Sequence, residues 1–226
     1  YRDVRNGMNG NLSVPAKLRK ALDLVSHPRW LADVAIGGKP LTFGNLASVV
    51  PSGRKPEDFK AWVESQFDPS VTWHDLDWIR ENWPGKLVIK GIMESDDARA
   101  AIGVGADAIV VSNHGGRQLE GAPASLNVLP AIAEAVEGKC QVLVDGGVQT
   151  GQDLVRALCL GADGCLMGRP WGYALAAGGE NAVENLLHNI RLETELTLSL
   201  MGKTSISQLS RSDLLSPTEV QSMSGV

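Results

Sequence analysis

The second half of the chain alternates short apolar runs with longer amphipathic segments. Each apolar run spans four or five residues, and in the segment that follows it apolar residues recur every three or four positions. Runs this short indicate buried strands, whereas the longer period indicates helices. Strands are predicted at 87–90, 108–111, 141–145 and 164–168, and helices at 95–104, 126–136, 150–160, 170–177 and 180–200. The pattern therefore predicts four consecutive strand–helix units.

Four such units imply parallel strands joined by right-handed crossovers. Both a doubly wound sheet and a (β/α)8 TIM barrel satisfy that arrangement. Polar residues recur where the strands end, and a TIM barrel presents its active site at this edge. These residues are Lys90, Ser112, Asp145 and Gly168–Arg169. A closed barrel needs eight strands, so we predict an α/β fold in which this chain supplies about the C-terminal half of a TIM barrel.

The first third of the chain shows no such order. Helices are predicted at 15–26, 28–36, 57–66 and 73–83, whereas residues 37–57 are rich in Gly, Pro and Ser without a clear period. Irregular stretches this long usually carry function. We therefore predict three regions: residues 1–70 as a loop and helical excursion after strand 4, residues 71–209 as the barrel half, and residues 210–226 as a tail.

Composition narrows the class of protein. The 226 residues include 43% hydrophobic residues and 25 glycines, as expected for an α/β domain with a sizeable core. A net charge of −5 argues against nucleic acid or an anionic membrane as the main partner. Cys140, Cys159 and Cys165 lie in apolar segments, which predicts reduced thiols in a cytoplasmic protein and no metal site. No apolar run reaches the 18 residues of a membrane span.

The loop after the second predicted strand contains the strongest chemical signal. Ser112, Asn113, His114 and Arg117 fall within six residues, with two glycines between the last two. A histidine can move a proton near neutral pH, and an arginine can hold a carboxylate through two parallel hydrogen bonds. A structural histidine is the alternative, but Arg117 three positions away at a strand end favours function. The loop predicts proton abstraction next to a carboxylate.

Two glycine motifs follow the third and fourth predicted strands. They are Asp145-Gly-Gly147 and Gly168-Arg169. Backbone N–H groups in such turns bind phosphate, and barrels commonly place a phosphate site after strands seven and eight, beside a short extra helix. Residues 170–177 are placed to be that helix, which identifies the four units as strands 5 to 8. Tight βα turns without a ligand are the alternative explanation.

Lys90 ends an apolar strand, where a buried ammonium needs an anionic partner. A ligand that carries or develops negative charge would supply that partner. The alternative is a solvent-exposed lysine at the end of the strand.

These motifs together resemble the FMN-dependent α-hydroxy acid dehydrogenases and oxidases, over about residues 1–209. The segments that carry the resemblance are Leu87–Gly91, Val111–Gln118, Val144–Val148 and Leu166–Arg169. The resemblance implies a TIM barrel with bound FMN that oxidises an L-2-hydroxy acid to the 2-oxo acid. It assigns cofactor binding to nine residues, namely Lys90, Ser112, Gly115, Asp145, Gly146, Gly147, Gln149, Gly168 and Arg169.

Individual roles are implied by the same resemblance. Lys90 would contact the N1/O2 edge of the flavin and Ser112 the ring region, while Asp145 would bind the ribityl chain. Gly147, Gly168 and Arg169 would hold the phosphate. For the substrate, His114 would be the catalytic base, accepting a proton from carbon or from the hydroxyl. Arg117 would clamp the substrate carboxylate.

Two departures from the family pattern stand out. Gln149 occupies a position where many members carry an arginine, so FMN affinity is expected to be lower. The family's carboxylate that orients the histidine, a second substrate arginine and an active-site tyrosine would all lie upstream of Tyr1. We therefore expect this chain to be incompetent alone. It would be a fragment, one piece of a cleaved chain, or a partner of the N-terminal barrel half.

The excursion discriminates among family members. Its His27–Trp30 segment and the Trp73–Trp78 segment just after it resemble L-lactate and mandelate dehydrogenases that pass electrons to membrane quinones. L-lactate is thus the favoured substrate, with peripheral attachment to the inner face of a membrane. Mandelate dehydrogenase and an O2-using hydroxy acid oxidase are alternatives, and a homotetramer is implied. Outside the family, a flavin-free phosphate-binding barrel isomerase or synthase and an inactive fragment are the alternatives.

Overall fold

The structure is a computed structural model that describes residues 14–38, 43–50 and 56–215. It divides into two compact units, Tyr1–Ser70 and Val71–Val226. The loop predicted at 1–13 and the end of the predicted tail, 216–226, lie outside the described residues, as do 39–42 and 51–55 within the predicted irregular stretch.

Most of the described part of the first unit is helical. Helix α1 covers Val14–Ser26, and α2, Pro28–Trp30, continues as a wider π-helical turn over Leu31–Ile36. Helix α3 covers Pro56–Gln66. These bounds agree with the predicted helices to within a residue. The ring of Phe59 is buried and lies 5.3 Å from that of Phe43, centroid to centroid.

The second unit is built on a parallel four-stranded sheet. Its strands are β1 (Val88–Ile92), β2 (Ala108–Val111), β3 (Gln141–Val144) and β4 (Gly164–Cys165). Its helices are α4 (Trp73–Asn82), α5 (Ser95–Gly103), α6 (Ser125–Val136), α7 (Gly151–Cys159) and α8 (Arg169–Leu200). The strands lie side by side in chain order. A doubly wound sheet reverses its strand order at a switch point, so this order favours the barrel.

The core lies between the sheet and helices α5, α6 and α7. All four residues of β2 are buried, as expected for a central parallel strand covered on its faces. The side chains that form the core cluster are small or branched. They are Ile92, Ala98, Ala101, Ala106, Ile109, Val111, Leu129, Ile132, Val136, Val142, Val144, Ala157 and Ala162.

A bulge in β1 lies between Lys90 and Ile92. Lys90 pairs with Val110 and Ile92 with Val111, so Gly91 is an extra residue with a φ of 102°. Positive φ costs little only for glycine. The bulge lets Ile92 enter the core while the Lys90 side chain stays 40% exposed.

Three details differ from the sequence-based prediction. Strand β4 has two residues instead of five, because only one further hydrogen bond, from Leu166 N to Val144 O, continues the ladder. Helix α8 runs without a loop from Arg169, although its backbone leaves helical geometry at Gly178–Gly179, where the break was predicted. Ile79, an apolar residue that an amphipathic helix at 73–83 would turn inward, is 36% exposed.

Two short 3-10 turns follow α8, at Ile206–Gln208 and Arg211–Asp213. The three cysteines have free thiols, and burial raises the pKa of the Cys165 thiol to about 11. Across the described ranges, no helix combines the length and the apolar character that a bilayer crossing requires.

Candidate active site

A cleft of about 400 Å³ opens at the C-terminal ends of the four strands. This is where parallel strands direct the loops that follow them. Ten of the eleven predicted site residues line it, namely Lys90, His114, Gly115, Arg117, Asp145, Gly146, Gly147, Gln149, Gly168 and Arg169. Loops that are far apart in the chain therefore meet around one cavity.

Ser112, the eleventh residue, lies beneath the cleft. Its side chain is 1% exposed. Its Oγ accepts a hydrogen bond from Lys90 Nζ at 2.8 Å and another from the His114 backbone N–H at 3.0 Å. Ser112 therefore connects the lysine of β1 to the backbone of the histidine loop.

Lys90 also forms an ion pair with Asp145. Lys90 Nζ lies 2.7 Å from Asp145 Oδ2, and the Asp145 side chain is only 17% exposed. The other carboxylate oxygen, Oδ1, is buried and accepts no hydrogen bond from any described residue. Buried acceptors in proteins are normally satisfied. Asp145 thus offers one buried oxygen to a donor from a ligand that enters the cleft.

His114 has an unusual backbone. It starts a short 3-10 turn, His114–Gly116, and its φ is 55°, in the left-handed region that few residues other than glycine adopt. A Cβ on Gly91 would lie 3.1 Å from His114 Cε1. That spacing is tighter than an ordinary carbon–carbon contact, so the imidazole packs closely over the glycine of the β1 bulge.

The two glycine motifs border open space. Gly147 has a φ of 92°, and a Cβ on Gly147 or on Gly168 would meet no atom within 4 Å. Gly168, Arg169 and Pro170 line the cleft at the point where α8 begins. A helix N-terminus carries partial positive charge and unpaired N–H groups, and it favours an anion.

The side-chain charges around the cleft also favour an anion. Three cationic side chains, Lys90, Arg117 and Arg169, line it against one carboxylate, Asp145. A cavity of this sign attracts anionic ligands. Gln149 also lines the cleft, and its backbone N–H donates to Asp153 Oδ2 at 3.1 Å.

Some participants were not assigned from the sequence. Val148, Leu166, Met167 and Pro170 also line the cleft, and the first three supply apolar side chains. They lie inside or next to the predicted motifs, so proximity to those motifs was the available signal. Ser125, at the start of α6, was missed because it looks like any polar residue at a helix start.

Curated relatives match nearly the whole chain. A sequence profile of the FMN-dependent dehydrogenases matches residues 1–216. The L-lactate dehydrogenase of Xanthomonas oryzae pv. oryzae (strain PXO99A) is 48% identical over 221 residues, 98% of this chain and 56% of that protein. The L-lactate dehydrogenase of Vibrio cholerae serotype O1 (strain M66-2) is 47% identical, over 95% of this chain and 56% of that protein. The chain thus spans about half the length of the relatives it matches.

Solved structures of related enzymes also match this chain. A monotopic membrane protein, (S)-mandelate dehydrogenase, superposes with a TM-score of 0.84 at 37% identity, over 95% of this chain and 56% of that one. A mandelate oxidase gives a TM-score of 0.65 at 40% identity, over 70% and 46%. A mandelate oxidase mutant with a monooxide FMN adduct gives 0.62 at 43%, over 65% and 46%. These matches confirm the predicted partial TIM barrel.

Proposed function

The chain belongs to the FMN-dependent dehydrogenase family, and we propose that the protein binds FMN in this cleft and oxidises an L-2-hydroxy acid, with L-lactate as the substrate, to the 2-oxo acid. The observation that carries the proposal is the meeting of His114, Arg117 and the two glycine motifs around one cationic cavity. The family match favours this function over a flavin-free isomerase or synthase.

The residues around the cleft fit FMN. The unpartnered Asp145 Oδ1 can accept a hydrogen bond from a ribityl hydroxyl. Gly147 and Gly168 leave space where a side chain would stand, so backbone N–H groups can approach a phosphate. Arg169 and the N-terminus of α8 add positive charge beside the same space. When bound, FMN supplies the two-electron acceptor that the oxidation needs.

Lys90 is assigned to the flavin ring. Its ammonium is already held by Asp145 and Ser112, which fixes its position before any ligand binds. A cation placed in advance stabilises negative charge that develops during a reaction without further reorganisation. Lys90 would therefore favour the reduced, anionic cofactor.

His114 and Arg117 are assigned to the substrate. Arg117 would hold the carboxylate through paired hydrogen bonds, which fixes the α-carbon relative to the cleft. His114 would accept the proton that leaves the substrate, from carbon or from the hydroxyl. Its place over Gly91, with its backbone N–H bound to Ser112 Oγ, holds the ring on the cleft side of β1.

Mandelate is the second candidate substrate. The relatives named L-lactate dehydrogenase support lactate, whereas the structural match at TM-score 0.84 is a mandelate dehydrogenase. A quinone-type electron acceptor is proposed, with O2 as the alternative in line with the mandelate oxidase match.

The visible spectrum of the purified protein, with the N-terminal barrel half present and oxygen excluded, tests this function. We expect a flavin spectrum that bleaches on addition of L-lactate, and a His114→Ala variant that keeps the flavin but bleaches about 100- to 10,000-fold more slowly. Bleaching by L-mandelate and not by L-lactate would mean that mandelate is the substrate. A flavin spectrum that neither acid changes would overturn the proposed oxidation. Failure to bind added FMN would overturn the cofactor assignment.

Peripheral membrane contact is proposed through α1. Val14, Leu18, Leu22 and Val25 recur along one side of this helix and are 78%, 62%, 65% and 70% exposed. Lys17 and Arg19 on the same helix are exposed as well. Amphipathic helices with basic residues bind anionic bilayer surfaces. The match to a protein described as monotopic supports the same location.

Vesicle sedimentation tests the contact. We expect the protein to sediment with vesicles of anionic phospholipid, and Leu18→Asp/Leu22→Asp to abolish this. Val63→Asp on α3, which also replaces an exposed apolar residue, is the matched control. Equal sedimentation of all three proteins would contradict a role for α1. Assembly with an N-terminal barrel half and a homotetramer stay predictions, which native mass spectrometry can check.

A further inference from the structure

The side chain of Asn113 bridges the two ends of the loop that carries His114. Its Oδ1 accepts a hydrogen bond from the Gly116 backbone N–H at 3.1 Å, and its Nδ2 donates to the Pro123 carbonyl at 3.0 Å. Asn113 is only partly buried, but both ends of its amide are engaged. One side chain therefore ties the His114–Gly116 turn to the segment that leads into α6.

Two serines complete the arrangement. Ser125 is 2% exposed, and its Oγ accepts from the Asn113 backbone N–H at 3.3 Å. Ser112 Oγ accepts from the His114 backbone N–H at 3.0 Å. Backbone N–H groups of residues 113, 114 and 116 are thus all held by side-chain oxygens. Local bonds of this kind stabilise backbone shapes that neither helix nor sheet provides.

The backbone that these bonds hold is a strained one. His114 has a φ of 55°, a conformation that non-glycine residues keep only where surrounding contacts enforce it. Gly115 and Gly116 also have positive φ, but glycine adopts it readily, so the strain falls on His114. Without the Asn113 bridge, the His114 backbone can relax to an ordinary conformation and turn the imidazole away from Gly91.

The same side chain also lies close to the neighbouring loop. A Cβ on Gly146 would lie 3.2 Å from Ser125 Oγ and 3.5 Å from Asn113 Oδ1. The Asp145–Gly147 loop therefore lies close to Asn113 and Ser125, with glycine at the nearest position. Glycine at this position leaves room for the Asn113 amide beside the motif that follows β3.

We propose that Asn113 is a positioning residue: its bridge from Gly116 to Pro123 holds His114 in the left-handed conformation that presents the imidazole to the cleft over Gly91. The proposal rests on the proposed function only in the role given to His114 as base. The pose of the ring can be measured without turnover. Asn113 contacts neither cofactor nor substrate in this assignment, and it acts through His114.

The test compares Asn113→Ala with Asn127→Ala, an exposed asparagine on α6, in protein whose histidines carry isotope labels. The chain has four histidines, and a His114→Ala spectrum identifies the signal of His114. In Asn113→Ala we expect the His114 ring signals to shift or broaden and kcat to fall about 10- to 100-fold. KM and FMN affinity should stay within about twofold of wild type, since a small change in ring position affects the proton transfer most. Asn127→Ala should match wild type in every measurement.

Further variants keep the test decisive if Asn113→Ala unfolds. Asn113→Asp keeps an acceptor for Gly116 but loses the donor to Pro123, and Ser125→Ala removes one acceptor only. Each should give a smaller shift of the His114 signal in the same direction. Unchanged His114 signals in all folded variants would overturn the proposal. If the His114 signal shifts in Asn113→Ala but the His114→Ala variant turns over normally, His114 is not the base. The positioning role of Asn113 would then still stand.

Discussion

Lys90 Nζ and Asp145 Oδ2 lie 2.7 Å apart, although Lys90 belongs to β1 and Asp145 follows β3. The pair therefore crosses over the end of β2, where Ser112 Oγ accepts a hydrogen bond from the same ammonium. Three strands thereby share one polar contact at the floor of the cleft. The contact fixes a cation before a ligand binds. The effect of the Lys90 charge on that ligand can therefore be measured by substitution.

Lys90→Met should lower the midpoint potential of bound FMN. The ammonium stabilises the negative charge of the reduced cofactor more than the neutral oxidised form, so its loss disfavours reduction. Redox titration against a reference dye measures the change. Lys86→Met is the control, because Lys86 is exposed and pairs with Asp107, away from the cleft. An unchanged potential in Lys90→Met would rule out contact between this ammonium and the flavin.

Gln149→Arg should tighten FMN binding. Gln149 lines the cleft near the glycine motif, and a charge-assisted hydrogen bond to phosphate is about twice as strong as a neutral one. We expect an affinity about tenfold higher, with a steeper loss as salt increases. Gln152→Arg adds the same charge on the exposed surface of α7 and is the control. Equal gains in both variants would mean that net charge, not contact, sets the affinity.

Arg117→Lys should raise KM for the hydroxy acid and leave FMN affinity unchanged. A lysine keeps the charge but cannot form the paired, planar hydrogen bonds that orient a carboxylate. We expect KM to rise about tenfold or more and kcat to fall less. Steady-state kinetics with L-lactate checks this. A variant with normal KM would show that Arg117 does not clamp the substrate.

Asp107→Asn should reduce stability in a pH-dependent way. The Asp107 carboxylate accepts hydrogen bonds from Lys86 Nζ at 2.6 Å and from the Leu87 N–H at 2.9 Å, and these hold its pKa below the ordinary 3.8. A lowered folded-state pKa contributes stability above the ordinary value, and this contribution is lost as pH falls through the folded value.

Urea unfolding at several pH values measures the effect. The difference between wild type and Asp107→Asn should be constant from about pH 7 to pH 5 and shrink below about pH 4. Glu134→Gln, which neutralises an exposed carboxylate on α6, should show no comparable trend. A gap that persists undiminished at low pH would mean that the carboxylate charge is not the cause.

Gly151→Ala should separate α7 from α8. A Cβ on Gly151 would lie 2.5 Å from Thr194 N and 2.6 Å from Glu193 Cβ, closer than real side chains approach. We expect a loss of about 1–3 kcal/mol in the free energy of unfolding. Gly103→Ala, at the end of α5, is the control because its Cβ would meet no atom within 4 Å. Similar unfolding curves for both variants would contradict the close approach.

Periodicity and motifs predicted most of the fold and the cleft. The order of strands and helices followed from local pattern, and ten site residues met because parallel strands release their loops at one edge. Contacts that depend on three-dimensional placement were not predictable. The flavin contact of Ser112 stays a prediction, and the sequence did not indicate that its Oγ accepts hydrogen bonds from Lys90 Nζ and the His114 backbone N–H. No local pattern marks Ser125 as the acceptor for Asn113, twelve residues away.

The bulge at Gly91 changes the phase of β1. Before it, residues 88 and 90 are exposed and residue 89 packs against the core; after it, residue 92 enters the core. The tolerance of this strand to polar substitution should therefore not alternate regularly. Polar residues should be tolerated at 88 but should destabilise the protein at 89 and again at 92. Because Lys90 and Ile92 already pair with consecutive residues of β2, deleting Gly91 would leave Ile92 facing the core. Deleting a residue within regular β2 would instead turn the rest of that strand over. Deletion of Gly91 should therefore disturb the fold less than the position of the His114 imidazole, which lies over Gly91.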